Sequence, residues 1–197
     1  MKIPSIEKVE EFLEKAEQLN SGVWINHCKT AGNCAKVIAH FCDNLDENVA
    51  YTMGVLHDIG RREGVMDMRH IVCGYNYMML QGYDDIARIC LTHSFPDKNI
   101  LSYNGKNDCT PEETEFIESF IKTVEYNDYD RLIQLCDAIS FPEGPTYMEK
   151  RFVDVAIRRG INEYSVQKWK AFLEIKSYFD YKTGFNIYDL FKKELII

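Results

Sequence analysis

No stretch of this 197-residue sequence approaches the roughly 18 apolar residues that a membrane-spanning helix needs. The sequence also lacks internal repeats and low-complexity tracts. It contains neither a P-loop nor a Gly-x-Gly-x-x-Gly motif, which excludes the common glycine-rich loops that bind phosphate. The N-terminus leads into an acidic amphipathic stretch instead of an apolar signal core. We therefore expect a cytoplasmic protein without membrane contact, whose chemistry depends on individual side chains.

Positive charge is scarce, because 23 Lys and Arg stand against 31 Asp and Glu and give a formal net charge of −8. Proteins that bind nucleic acid polymers need clustered basic residues, so no such partner is expected. The seven cysteines form no Cys-x-x-Cys pair, which favours reduced thiols packed in the core. A small phosphorylated substrate remains compatible with this chain, since a bound metal reverses the local field.

The spacing of apolar residues predicts helices throughout and no strand of alternating polarity. Helices are predicted over about 6–19, 24–45, 48–59, 69–81, 84–93, 111–126, 130–140, 146–159, 166–181 and 187–195. Ser5 is the expected N-cap of the first of them and Thr110 that of the sixth. A chain of this length suits one domain with a buried core. We expect a single all-α domain over 1–197, with a core over about 24–141 and a C-terminal helical packing extension over about 145–197.

Aromatic residues crowd the C-terminal extension. They are Trp169, Phe172, Tyr178, Phe179, Tyr181, Phe185, Tyr188 and Phe191. Such a group of rings is typical of a packing subdomain or of a subunit interface. A homodimer through these helices is therefore one of two expectations for this region.

Four of the five histidines fall on the inward faces of separate predicted helices. They are His27, His57, His70 and His93. The fifth, His40, lies about 140° around the helix from His27 and is expected to face solvent. A single inward histidine is usually a hydrogen-bonded core residue, but four of them beside a His57-Asp58 pair are typical of a metal site.

Other charged residues are placed where they could join such a site. Asp137 lies among apolar neighbours, where an unpaired carboxylate is costly, so it should be ion-paired, hydrogen-bonded or bound to metal. Arg61 and Arg62 directly follow the His-Asp pair. The irregular stretch 94–109 is long for a compact domain and contains Lys98 and Lys106, which suggests either a substrate cover or a surface insertion.

Together these residues resemble the HD-domain superfamily of metal-dependent phosphohydrolases. The order of that family is a histidine, a His-Asp pair and a final aspartate on separate helices, and His27, His57-Asp58 and Asp137 match it over roughly 24–141. Gly-Val-Leu-His-Asp-Ile-Gly-Arg is close to the family's text around the pair, and Leu-Ile-Gln-Leu-Cys-Asp-Ala-Ile resembles its last aspartate helix. The resemblance implies an HD-domain helical bundle.

The dinuclear branches of that family, which include bacterial enzymes that cleave diadenosine tetraphosphate, have two further histidines between the pair and the last aspartate. His70 and His93 fall in that interval. The resemblance then implies two divalent transition metals per chain (Fe, Mn, Zn, Co or Ni). One is held by His27, His57, Asp58 and Asp137, and the other by Asp58, as a bridge, with His70 and His93.

The implied reaction is hydrolysis of a phosphoester or phosphoanhydride in a nucleotide or another small phosphorylated metabolite, with metal-activated water as the nucleophile. In this reading His57, Asp58 and Asp137 are catalytic, and Arg61, Arg62 and Lys98 bind substrate. Three alternatives stay open. They are a mononuclear HD nucleotidase in which His70 and His93 bind substrate or pack in the core, a di-iron oxygenase of HD type, and a non-catalytic regulatory module that binds metal or nucleotide.

Overall fold

Helix starts in this chain are marked by short polar side chains that accept backbone N–H groups of the first turn. Ser5, Asp46, Thr110 and Asn127 all do so, and the last two form reciprocal capping boxes. Each such cap stabilises its helix by about 1 kcal/mol. The caps expected at Ser5 and Thr110 are therefore confirmed.

The computed structural model describes residues 1–196. Its α-helices are α1 (Ile6–Leu19), α2 (Trp24–His40), α3 (Glu47–Leu56), α4 (Arg69–Leu80), α5 (Asp84–Thr92), α6 (Pro111–Thr123), α7 (Asp128–Ala138), α8 (Met148–Arg159), α9 (Ser165–Thr183) and α10 (Ile187–Leu190). Short 3₁₀ helices span Ile59–Glu63 and Ile100–Ser102. With 66% helix, the all-α prediction is confirmed.

Four helices end at least three residues earlier than predicted, among them the sixth at Thr123, and one small hairpin was not foreseen. The second helix ends at His40, because Phe41 and Cys42 donate to Ile38 and Ala39 in a tight turn before Asp46 caps α3. The third helix ends at Leu56 and the last at Leu190. The strands β1 (Ser140–Phe141) and β2 (Gly144–Pro145) pair antiparallel between α7 and α8. Two-residue strands are too short to show alternating polarity.

The core is centred on α2, which packs along α3 and also contacts α7. The C-terminal helices complete the same apolar cluster, since Phe172, Phe179 and Phe191 are buried in it. These rings act within the chain as packing residues, and a homodimer stays a prediction. Within residues 1–196 no helix has both the length and the apolar character of a membrane span.

The contact between α2 and α3 is unusually close because glycine faces glycine. A Cβ on Gly54 of α3 would lie 2.6 Å from the Gly32 Cα and 2.9 Å from the Ala31 carbonyl oxygen. Both are backbone atoms of α2, so no side-chain rotation relieves the overlap. The two helices can approach this closely only while both positions lack a side chain.

We predict that Gly54→Ala destabilises the protein by about 1–3 kcal/mol, since the added methyl group forces the two helix backbones apart. In an unobstructed helix interior the same change stabilises by up to about 1 kcal/mol, so the sign of the effect is the test. Chemical denaturation measures it. The control is Asn33→Ala at an exposed position next to Gly32, which should leave stability unchanged or raise it. Stabilisation by Gly54→Ala would contradict the close contact.

Candidate metal centre

The His-Asp pair lies at a break between two helices. His57 keeps helical torsion angles at the end of α3, but Asp58 leaves them, with φ −105° and ψ 16°, and the 3₁₀ helix begins directly afterwards. Gly60 then lets this 3₁₀ helix press against α4, because a Cβ there would lie 1.9 Å from the His70 carbonyl oxygen. The close approach brings the α4 histidine next to Asp58.

Six residues that the sequence singled out meet at this point. They are His27, His57, Asp58, His70, His93 and Asp137. Asp58 Oδ1 lies 2.8 Å from His70 Nε2 and 3.4 Å from His93 Nε2. Asp137 Oδ1 lies 3.0 Å from His27 Nε2 and 3.9 Å from His57 Nε2. The four imidazoles and two carboxylates thus form one continuous cluster.

Each of the four imidazoles uses its Nδ1 to donate to a backbone carbonyl. His57 donates to Gly54 at 2.6 Å, His93 donates to Cys90 at 3.0 Å, and His70 donates to Asp67, three residues earlier in every case. His27 instead donates to the distant Ser140 at 3.2 Å. A carbonyl only accepts hydrogen bonds, so Nδ1 carries the proton and, in the neutral ring, Nε2 presents a lone pair.

The inward-facing atoms are consequently acceptors that face other acceptors. His57 Nε2, His70 Nε2 and Asp58 Oδ1 are buried without a hydrogen-bond partner in the described residues. Protonation would relieve this at a histidine, but burial lowers the pKa of His57 to about 4 and also lowers the pKa of His70. A bound cation would satisfy these lone pairs together at neutral pH, and imidazole with carboxylate is a common ligand set for divalent transition metals.

Both carboxylates of the cluster are ionised. Burial by itself raises the pKa of Asp58, but the positive charge of Arg61 more than offsets it and holds that pKa well below its usual range. The pKa of Asp137 is likewise lowered against the effect of burial. Arg61 Nε donates to Asp58 Oδ2 at 2.5 Å, which leaves Oδ1 directed at the histidines.

All members of the cluster except His57 line a cavity of about 810 Å³. Of the three predicted substrate contacts, only Arg61 lines this cavity. Arg62 lies against the Tyr77 ring, with its guanidinium 3.9 Å from the ring centre, and Lys98 Nζ donates to the Val124 carbonyl at 2.7 Å. The prediction that these two bind substrate is therefore not supported, since their charged groups are engaged outside the cavity.

The stretch 94–109 does reach the cavity, but through Ser94 and Tyr103 instead of its lysines. Burial raises the pKa of Tyr103, so its hydroxyl is protonated at neutral pH. A substrate cover is one of the two expectations for this stretch, the other being a surface insertion, and it is based on the length of the stretch and on its lysines. Which residues of an irregular segment face inward depends on turns such as the 3₁₀ helix at Ile100–Ser102, which apolar periodicity does not reveal.

A second group of lining residues was missed by sequence reasoning altogether. Helix α8 contributes five charged side chains to the cavity, which are Lys150, Arg151, Asp154, Arg158 and Arg159. The sequence predicted this helix but assigned it only to packing. A signal was present, since the first four project within an arc of about 100° on a helix, but a charged face is ordinarily solvated and does not reveal what lies opposite.

No protein-family model, curated protein or solved structure matches this chain. Membership of the HD-domain superfamily therefore stays a prediction from the motifs. The geometry itself supports a coarser statement, that these buried histidine and aspartate groups can hold a metal ion.

We predict that the purified protein, reloaded after treatment with a chelator, retains one or two equivalents of a divalent transition metal per chain. Metal should raise thermal stability, by about 4 kcal/mol at a concentration 1,000 times the dissociation constant. Metal analysis and thermal unfolding measure these effects. His57→Ala should lose metal, whereas His40→Ala, at an exposed histidine paired with Glu47, should not. Less than a tenth of an equivalent of metal per chain after reloading would refute the assignment of a metal site.

We also predict that the metal-free protein loses stability as the pH falls from about 7 to about 5. The folded-state pKa of His57 is below its ordinary value of 6.5, so the unfolded chain binds more protons across this window. The expected loss is on the order of 1–2 kcal/mol from this residue. Denaturant titrations of wild type and His57→Ala at both pH values measure it. A pH dependence that is equal in the two proteins would contradict the assignment.

Proposed function

We propose that this protein is a metal-dependent phosphohydrolase of HD-domain type that acts on a nucleotide or another small phosphorylated metabolite. The observation that carries the proposal is the set of acceptor atoms, four imidazole Nε2 and two carboxylates, that face one another beside a single cavity, which all six residues except His57 line. A complete ligand set in an open cavity favours turnover over a regulatory module that keeps only the fold. The seven free cysteines fit a reducing cytoplasm.

The arrangement of ligands favours two metals. One compact group consists of His27, His57 and Asp58, and another consists of Asp58, His70 and His93. These two groups share only Asp58, so this carboxylate is positioned to bridge two metals. Asp137 lies 3.0 Å from His27 and adds to the first group, and a third compact group of His57, His93 and Asp137 joins the two. Divalent metals held by these residues would supply Lewis acidity and would lower the pKa of a bound water to about 7.

The protein's own residues then position the phosphate and the water. Arg61 keeps its positive charge because Asp58 raises its pKa against the effect of burial. Its Nε is bound to Asp58 and its Nη1 is 3.4 Å from the Met66 carbonyl, so Nη2 is left to contact a phosphoryl oxygen in the cavity. Asp137, whose side chain is 22% exposed, orients the attacking water by accepting a hydrogen bond from it.

We predict that His57→Ala with Asp58→Ala abolishes both metal binding and phosphatase activity. Replacing His70 and His93 alone should remove one of two metals. A screen of nucleotides, dinucleotides and sugar phosphates, with release of phosphate as readout, identifies the substrate. Retained activity in the double variant would refute the site.

Neighbouring arginines provide a matched control within the same experiment. Arg61→Ala should lower kcat/KM by about 100-fold or more, because it removes a charge-assisted contact to the phosphate. Arg62→Ala should change kcat/KM by less than about threefold, because that guanidinium packs on Tyr77 outside the cavity. An equal loss in both variants would mean that Arg61 acts only by stabilising the fold.

A further inference from the structure

Helix α8 presents two functionally different faces. Met148 is buried in the core, and Phe152 stacks on Trp169 with ring centres 5.5 Å apart. About a quarter to a half turn away, Lys150, Arg151 and Arg158 line the cavity. The apolar face therefore fixes the helix against the body of the protein and holds the basic face along the cavity that the histidine and aspartate cluster also lines.

The cavity concentrates positive charge in a protein that is acidic overall. Apart from the cluster's own ligands, its lining contains five cationic side chains, namely Arg61, Lys150, Arg151, Arg158 and Arg159, against Glu143 and Asp154. The lining is thus net positive although the whole chain has a formal charge of −8. Arg61 lies beside the cluster and serves the phosphate bound there, and Arg159 is ion-paired with Asp67 at 2.6 Å. The other three cations of α8 therefore exceed what one phosphate needs.

The basic groups of α8 are held in place by one carboxylate. Asp154 Oδ2 accepts from Arg158 Nη2 at 2.7 Å and from Arg151 Nη1 at 3.1 Å. One aspartate that orients two arginines leaves a net positive pair with free N–H groups, an arrangement suited to the oxygens of a phosphate. Lys150 makes no ion pair within residues 1–196 and adds a free ammonium to the same face.

From this arrangement we propose that Lys150, Arg151 and Arg158 form a second anion subsite, so that the substrate carries at least one phosphate besides the one bound at the cluster. This inference rests on the proposed function and narrows its substrate class to bisphosphorylated or oligophosphorylated small molecules. The site belongs to a small molecule instead of an acidic macromolecule because the three cations line the same cavity as the metal-binding residues.

The test is calorimetric titration of the metal-loaded full chain with alkyl α,ω-bisphosphates of increasing chain length and with the matching alkyl monophosphates. The bisphosphate of best-fitting length should bind at least about tenfold more tightly than its monophosphate. In Arg151→Gln/Arg158→Gln, and to a lesser degree in Lys150→Gln, this ratio should fall toward one while monophosphate affinity changes by less than about twofold.

A matched control removes two exposed lysines on other helices, Lys122→Gln and Lys170→Gln, and should keep the ratio of the wild type. Lys150→Gln breaks no ion pair, so it tests the subsite even where the arginine variant unfolds. Equal affinity for the two ligand series at every length, or a ratio that the α8 variants leave unchanged, would overturn the subsite. Preferential bisphosphate binding in a protein that hydrolyses no phosphate would retain the subsite and reject the proposed function.

Discussion

The hydrogen bonds from histidine Nδ1 to backbone carbonyls determine what this site can be. Three of the four rings bond the carbonyl three residues earlier, and His57 and His93 do so at the C-terminal ends of α3 and α5. Helix ends leave carbonyls without an intrahelical partner. An imidazole at that position donates the missing hydrogen bond to the carbonyl, and the same bond fixes the tautomer of the ring. Every such bond turns an Nε2 lone pair inward. The cluster of acceptors, and hence its capacity to hold a cation, follows from the local backbone geometry.

The extent to which the sequence could predict this site depends on the range of each interaction. Helix caps and inward faces are local properties, which is why Ser5, Thr110 and the four histidines could be assigned from spacing alone. The partner of His27 could not, because Ser140 lies 113 residues away in a hairpin whose strands are only two residues long. Phasing shows that a side chain points inward but does not show which other element lies opposite.

The adjacent Arg61 and Arg62 illustrate the same limit at the shortest range. In a continuous α-helix their directions would follow from a rotation of 100° per residue, but the chain changes to a 3₁₀ helix at Ile59. The different winding sends one guanidinium to Asp58 and the other to the Tyr77 ring. For helix α8 the sequence does show which residues share the basic face. It does not show that this face lines a cavity, because the rest of the cavity is formed by distant parts of the chain.

Gly54 links the fold and the site in one residue. Its missing side chain lets α3 approach α2 at Gly32, and its carbonyl accepts the Nδ1–H of His57. His27 lies on α2 and His57 at the end of α3, so the spacing of these helices sets the 5.3 Å between the two ring centres. A bulkier residue would both displace the carbonyl that orients one ring and separate that ring from the other. The metal-binding geometry is therefore a direct consequence of how closely two helices can pack.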